Sequence, residues 1–357
     1  MLQQISYLSM LKALGSKMLL INPLHESYAT TIAEISMKLT LSLAAATLLA
    51  ASTAYAQSYP SEPVTLVVPY GPGGASDLAG RALAESAREY LGQPVTVVNQ
   101  AGAGGMTGAR DVTQADADGY TLLLARVGMA LSPAVNENSS VDWDEYTFIS
   151  PLEATPMILA VAEDSPYESV EDLLEGIEND PGAMSYAASG ATAIDGFTVQ
   201  SLLADAKMDP LTAATLIPYR GGGELATALL GGHVDFLAIA AASLMPHIES
   251  GDMRPLMVFS PERMEALPDV PTAEELGYEL AGQVMGWSAL YGPPDLPEEV
   301  MNTWAEVMEQ VAEDEMWLSR ADDRGSISTI GSVDMETYAK EQYEFYRTLA
   351  EQFGYLE

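Results

Sequence analysis

Twice within residues 59–124, a short β-branched run ends in a cluster of glycines and gives way to a helical pattern. Residues 64–69 lead into the loop GPGGAS at 71–76, and residues 95–99 lead into GAGG at 102–105. A third run, 119–125, follows a turn at 116–119. Strand, loop and helix in alternation specify a mainly parallel sheet with helical crossovers. In open sheets of that kind small ligands bind at loops beyond the carboxyl ends of the strands. Free backbone N–H groups and helix dipoles at those loops favour anions. The arrangement suits holding a small anion better than cutting or copying a polymer.

The alternation continues along the chain. Further strands are predicted at 157–162, 184–188, 216–219, 234–242, 256–259 and 284–291. Helices are predicted at 77–90, 106–115, 169–177, 225–230, 244–249, 298–320 and 335–353. Ser76 or Asp77 is a natural N-cap for the first helix and Gly92 its stop. Ser169, with Asp172 three residues on, reads as a box-like cap with Asp in place of Glu or Gln. The proline-rich tract at 267–272 reads as a connection back to the first domain. Two domains are expected, 57–155 with 268–357, and 156–267.

Residues 37–56, MKLTLSLAAATLLAASTAYA, carry a charged start at Lys38, a short apolar core and a small-x-small ending at Ala54-Tyr55-Ala56. That pattern is a secretory signal peptide, too short for a stable membrane span. Cleavage is expected after Ala56. Because 36 residues precede Met37, residues 1–36 read as an upstream extension of the gene rather than part of the exported product. Export into the periplasm follows. The absence of cysteine excludes disulfides and thiol chemistry without opposing export. About 300 residues remain beyond the leader, enough for two domains of ~100–200 residues each with a large core.

Up to Ala56 there are three basic and two acidic residues, so the remainder carries 12 basic against 49 acidic residues, a formal charge of −37. Only Lys207 and Lys340 remain among its lysines. Such a charge repels phosphate backbones and anionic lipid, which excludes nucleic-acid and membrane-surface binding. The carboxylates are spread through the chain rather than gathered in a tail. Spread acidity of this kind fits a salt-loving source, where self-repulsion is screened.

Other chemistries find little support. GPGGAS lacks the GK[ST] ending of a P-loop and the spacing GxGxxG. After the leader only His233 and His247 remain, with no ligand-spaced partner for zinc or a Ser-His pair. No D-x-D-x-D-G calcium loop occurs. No catalytic residue, metal or cofactor is expected.

The ordered motifs YPSEPVTLVVPYGPGGASD, LGQPV, NQAGAGGMTGA, ADGYTLLLA, YAASGATA, IPYRGGGE, LLGGHVDF, LPDVPTAEELGY and WSALYGPPDLP resemble the substrate-binding proteins of tripartite tricarboxylate transporters, the Bug family. Together they cover the chain from Tyr59 to its last helix. The resemblance implies a two-domain periplasmic-binding-protein fold of type II, a Venus flytrap. It also implies closure over a small organic carboxylate and delivery to the permease subunits of a tripartite tricarboxylate system, by a monomeric receptor. Carried over by position, the first ligand loop is Tyr70, Gly73, Gly74, Ala75, Ser76 and Asp77. The opposing loop is Ser189, Gly190, Ala191 and Thr192, with Tyr219, Arg220, Gly221 and Gly222 beside it. Such loops reach carboxylates through backbone donors and ordered water.

Two positions depart from the family pattern. Arg126 stands after the third strand, where small or hydroxyl residues are usual, and can grip a carboxylate bidentately; a salt bridge to a nearby acid is the plainer alternative. Asp195 either faces the cleft, where it can repel a dianion or receive a cation, or caps a helix. The cargo thus stays open between an ordinary dicarboxylate and a zwitterionic or unusual acid. Trp287 reads as a core or hinge residue before a ligand-stacking one. Other functions compatible with the sequence are presentation of a ligand to a membrane sensor kinase and, further off, an exported hydrolase.

The screened-repulsion argument gives a first expectation. The melting temperature rises as KCl increases from about 0.05 M towards 1 M, where the Debye length shrinks from above 10 Å to about 3 Å; a salt-independent melt by circular dichroism contradicts it.

Overall fold

The computed structural model describes residues 59–219 and 221–356. The expected signal segment at 37–56, the extension before it and Arg220 lie outside the described residues.

The first sheet begins with β1 (Val64–Val68), β2 (Val95–Asn99) and β3 (Thr121–Arg126). All three are parallel, with β1 between the other two. β4 (Thr147–Thr155) ends at the crossing into the second sheet, which β5 (Met157–Ala162) enters after the single residue Pro156. There β6 (Ser185–Ala188), β7 (Thr215–Pro218) and β8 (Phe236–Ala240) are again parallel, with β6 in the middle. β9 (Met253–Phe259) completes that sheet, and β10 (Gly286–Gly292) and β11 (Ile327–Ser328) return to the first. The strand orders are β11-β4-β10-β3-β1-β2 and β7-β6-β8-β5-β9.

The sheets are therefore mixed rather than mainly parallel. The cause is the double crossing of the chain. β4 runs out of the first sheet into β5, and β9 runs back towards β10, so each returning strand lies antiparallel to the departing one. The resulting fold is the two-sheet α/β architecture expected.

Strand residues alternate between two cores, as a pleated strand requires. Val67, Leu123, Ala289 and Tyr291 face α2 (Met106–Thr113), α3 (Gly128–Val135) and α11 (Met335–Gln352). Leu66, Val68, Leu122, Leu124 and Leu290 face α1 (Ala75–Leu91) and α9 (Glu298–Ala312) on the other side. In the second sheet Leu159, Phe236 and Ala238 pack with α4 (Val170–Asn179), α5 (Ile194–Asp205) and the short α8 (Glu279–Gly282). Ile158, Ala160 and Leu237 pack with α6 (Gly222–Leu230) and α7 (Ala241–Glu249).

Helix ends mostly follow the residues that signal them. Gly92 stops α1 in the left-handed conformation, φ 71°, donating its N–H to the Arg88 carbonyl. The Ser169 hydroxyl accepts from Asp172 N–H at 3.1 Å. One long helix expected at 298–320 is instead two, α9 and α10 (Glu315–Asp322). Asp314 breaks it, accepting the Trp317 N–H at 2.8 Å and so starting a new helix as an N-cap. The sequence reading passed over β4, which holds Pro151 and Glu153. Pro151 lies at a register shift against β10, where a missing N–H costs no ladder bond.

Two residues before the crossing, Glu153 accepts from Arg324 at 2.7 Å, with the side chains 1% and 7% exposed. Its other oxygen and the Arg324 Nε have no hydrogen-bond partner. Breaking such a pair from one side leaves a buried lone charge. Arg324→Met is expected to cost about 3–5 kcal/mol in denaturant unfolding, and the double variant Glu153→Leu with Arg324→Met clearly less. Equal losses for the two would show that the pair is not coupled.

Candidate functional site

In each sheet the three parallel strands lie in the order second, first, third. The crossover after the first strand goes one way and the next goes back over it. This leaves a crevice at the carboxyl ends of β1 and β3, and another at those of β6 and β8. The two predicted ligand loops follow β1 and β6 and so occupy equivalent places.

After β1 the chain runs through Tyr70, the exposed Gly73 and the exposed Gly74 into α1, which starts at Ala75. Gly74 is the N-cap, in place of the expected Ser76 or Asp77. Asp77 lies in the first turn, buried, and its carboxylate turns back under the loop. It accepts from Gly73 N–H at 2.9 Å, Arg81 Nε at 3.0 Å and Asn99 Nδ2 at 2.9 Å. Asn99, at the end of β2, also donates to the Tyr70 carbonyl at 3.1 Å. These donors, Arg81 foremost, lower the Asp77 pKa to about 2 against the opposing effect of burial. Ser76 is buried beside it, and Ala75 is half-buried.

The Tyr70 ring packs against the second glycine loop. A Cβ on Gly105 would lie 3.1 Å from its hydroxyl, and one on Gly128 3.2 Å. Gly105, at φ 104°, thus makes room for the tyrosine. Burial raises the Tyr70 pKa, and the neighbouring Arg126 charge pulls it part of the way back.

The loop after β6 repeats the device. Ala193 is the N-cap of α5, and Asp195 sits buried in its first turn. Its carboxylate accepts the Ser189 N–H at 2.9 Å, the Ser189 hydroxyl, and the Gly196 N–H at 2.9 Å. Asp195 therefore neither caps the helix nor points freely outwards. Burial raises its pKa and the three donors oppose the rise. Gly196 has no room for a side chain, since a Cβ there would lie 2.3 Å from the Gly190 carbonyl. Gln200 Nε2 donates to the Ala191 carbonyl at 2.9 Å, and the Tyr355 hydroxyl approaches the same oxygen at 3.5 Å. Ser189 and Thr192 are exposed, Gly190 and Ala191 half-buried.

Beside this loop Tyr219 donates its N–H to the Ala188 carbonyl at 3.0 Å, and its half-buried side chain packs on the core. Gly221 is the N-cap of α6, whose first residue is Gly222.

Arg126 ends β3 at the first crevice, half-buried. Its guanidinium donates to Thr155 Oγ1 at 2.8 Å, and that oxygen lies 3.2 Å from Ser326 Oγ. Thr155 was missed from the sequence; its signal is its place just before Pro156 at the crossing. Trp287 is buried, donating Nε1–H to Gln342 at 3.2 Å, a core role. A cavity of about 780 Å³ lies at the crossing, lined by Ala154, Pro156, Ser260, Met264 and Ser326 among others. None of the described ligand candidates lines it.

Comparison with known proteins bears on this arrangement. The family model described as tripartite tricarboxylate transporter family receptor matches residues 79–352. A UPF0065 protein of Bordetella pertussis is 34% identical over 257 residues, 72% of this chain and 78% of the relative. Among solved structures, the periplasmic binding protein BugD superposes with a TM-score of 0.72 at 28% identity, covering 83% of this chain and 99% of that one. MatC of Rhodopseudomonas palustris, solved with bound malate, gives a TM-score of 0.71 at 25% identity over 81% of this chain and 99% of its own.

Asp77 yields a pH expectation. Its folded pKa lies below the unfolded value near 3.8, at about 2. Its stabilisation is therefore complete above pH 4 and is lost as pH falls through about 2. Asp77→Asn is expected to cost about 1–3 kcal/mol at pH 7. The gap to wild type should close as pH drops from 4 to 2 in parallel thermal melts; a constant gap contradicts the role.

Proposed function

The chain belongs to the tripartite tricarboxylate transporter receptor family, a family of binding receptors rather than enzymes, and from that premise we propose how it captures a ligand. It acts in the periplasm, taking a small organic carboxylate between two lobes and passing it to the membrane subunits of a tripartite tricarboxylate system. The lobes are residues 59–155 with 286–356, and 157–282; the boundary expected at 267–268 moves because Thr272 bridges Val258 and both Ala273 and Ala281 pack in the second core, so the tract at 267–272 stays with the second lobe. They close about two crossings, at Pro156 and at residues 283–285.

One observation carries this reading. Both crevices hold a glycine-containing loop fixed from below by a buried first-turn aspartate, Asp77 under one and Asp195 under the other. A carboxylate so placed orders the loop without itself meeting the ligand. The first amides of α1 and α5, which no helical carbonyl can reach, remain as donors, apart from that of Gly196, which Asp195 takes. Ser189 gives both its donors to Asp195, so the ligand meets the amides from Gly190 onwards in the second loop. The malate held by MatC supports a small carboxylate as the cargo class.

The test is thermal denaturation of the mature protein with a panel of small acids, malate, succinate, glutarate and benzoate among them. A true ligand at 100 times its Kd adds about 2.7 kcal/mol, a shift of several degrees. No shift with any acid at millimolar concentration would overturn the proposal.

A further inference from the structure

We infer that Arg126 is the specificity-determining residue of this site, taking one carboxylate of the ligand directly on its guanidinium. The inference rests on the receptor reading above and adds to it the group that recognises charge.

Four described arginines are buried or half-buried: Arg126, Arg254, Arg324 and Arg347. Three of them have a carboxylate partner, Glu163 at 3.0 Å, Glu153 at 2.7 Å and Glu137 at 3.3 Å respectively. Arg126 has none among the described residues, in a chain with 51 acidic residues. Removing a guanidinium from water is costly unless an anion meets it. Two acids of the same lobe have other commitments. Asp77 is held by Gly73, Arg81 and Asn99, and Glu153 by Arg324. Tyr70, whose hydroxyl burial keeps protonated, supplies no counter-charge.

Position and geometry agree. Arg126 and Tyr70 stand at the ends of β3 and β1, the two strands flanking the first crevice. The bond to Thr155 Oγ1 uses one of five guanidinium N–H groups and anchors one end of the fork. Paired N–H groups remain to meet the two oxygens of a carboxylate side by side. Thr155 is itself steadied by Ser326, so the fork is held before a ligand arrives. The ligand class follows: an acid with at least one ionised carboxylate at the β1–β3 crevice, distinguished there from its neutral amide.

The experiment is isothermal titration of wild type, Arg126→Gln and Arg126→Lys with whichever of malate or succinate binds, and with the corresponding monoamide. For Gln, affinity for the acid should fall on the order of 10- to 100-fold, and the preference for acid over monoamide should shrink with it. Lys keeps the charge but loses the fork, so it should bind between the two. Acid binding by the Gln variant within twofold of wild type overturns the inference while leaving the receptor reading intact. A Lys variant matching wild type overturns the direct bidentate contact, and this arm stands even if the Gln variant fails to fold. If wild type binds neither acid nor any other of the panel, the receptor reading fails instead.

Discussion

Everything at the candidate site depends on a carboxylate placed beneath a loop. A glycine-rich turn gains close backbone approach but surrenders conformational order, since glycine has more freedom to lose on folding than any other residue. Asp77 and Asp195 supply the order. Each sits in the first turn of the helix that follows, where the dipole favours its charge, and each reaches back to an N–H of the loop. The surrounding packing follows from that choice: Asn99 must stand at the end of β2 to complete the Asp77 network, and residue 196 must be glycine for Asp195 to draw the second loop onto its helix.

The two aspartates are not held alike. Arg81 meets Asp77 from a half-exposed position, and its pKa falls. Among the described residues no cation meets Asp195, which relies on three uncharged donors in a buried place, and its pKa rises. The same geometric task is thus performed at opposite electrostatic extremes. The reason lies in supply. With few basic residues in so acidic a chain, neutral N–H and O–H groups must do much of the work that arginines do elsewhere.

Much of the fold was legible because it was local. The runs at 95–99 and 157–162 became β2 and β5 without change, and Gly92 and Ser169 ended and began helices as their chemistry dictates. What escaped was set by distant residues. β4 carries Pro151 and a charged Glu153, which no strand pattern admits until β10 supplies a bulge and Arg324 a counter-ion. The antiparallel strands were hidden for the same reason, since only the double crossing explains them. At the site, spacing marked where the glycine loops lie but read Asp77, and as one alternative Asp195, as helix caps, which Gly74 and Ala193 are instead. An Asp in a first turn can cap, face solvent or turn under the preceding loop, and the sequence writes all three alike. Tyr70 shows the same limit: nothing local says that the GAGG loop exists partly to make room for it.

The extreme charge sharpens the meaning of Arg126. In a chain of balanced composition an unpaired, half-buried arginine is weak evidence, because carboxylates are too sparse to reach every cation. Here acids outnumber bases by more than three to one, so a neighbouring carboxylate is the default and its absence has to be built. Among the described residues the guanidinium meets the neutral Thr155, the neighbouring Tyr70 is neutral, and Glu153 is bound to Arg324. Thr155 is also the last residue before the crossing into the second sheet. On the proposed contact, a carboxylate on Arg126 would act one hydrogen bond away from Thr155, where the chain leaves the first sheet. The same threonine would then join recognition of charge to any turning of the lobes about Pro156.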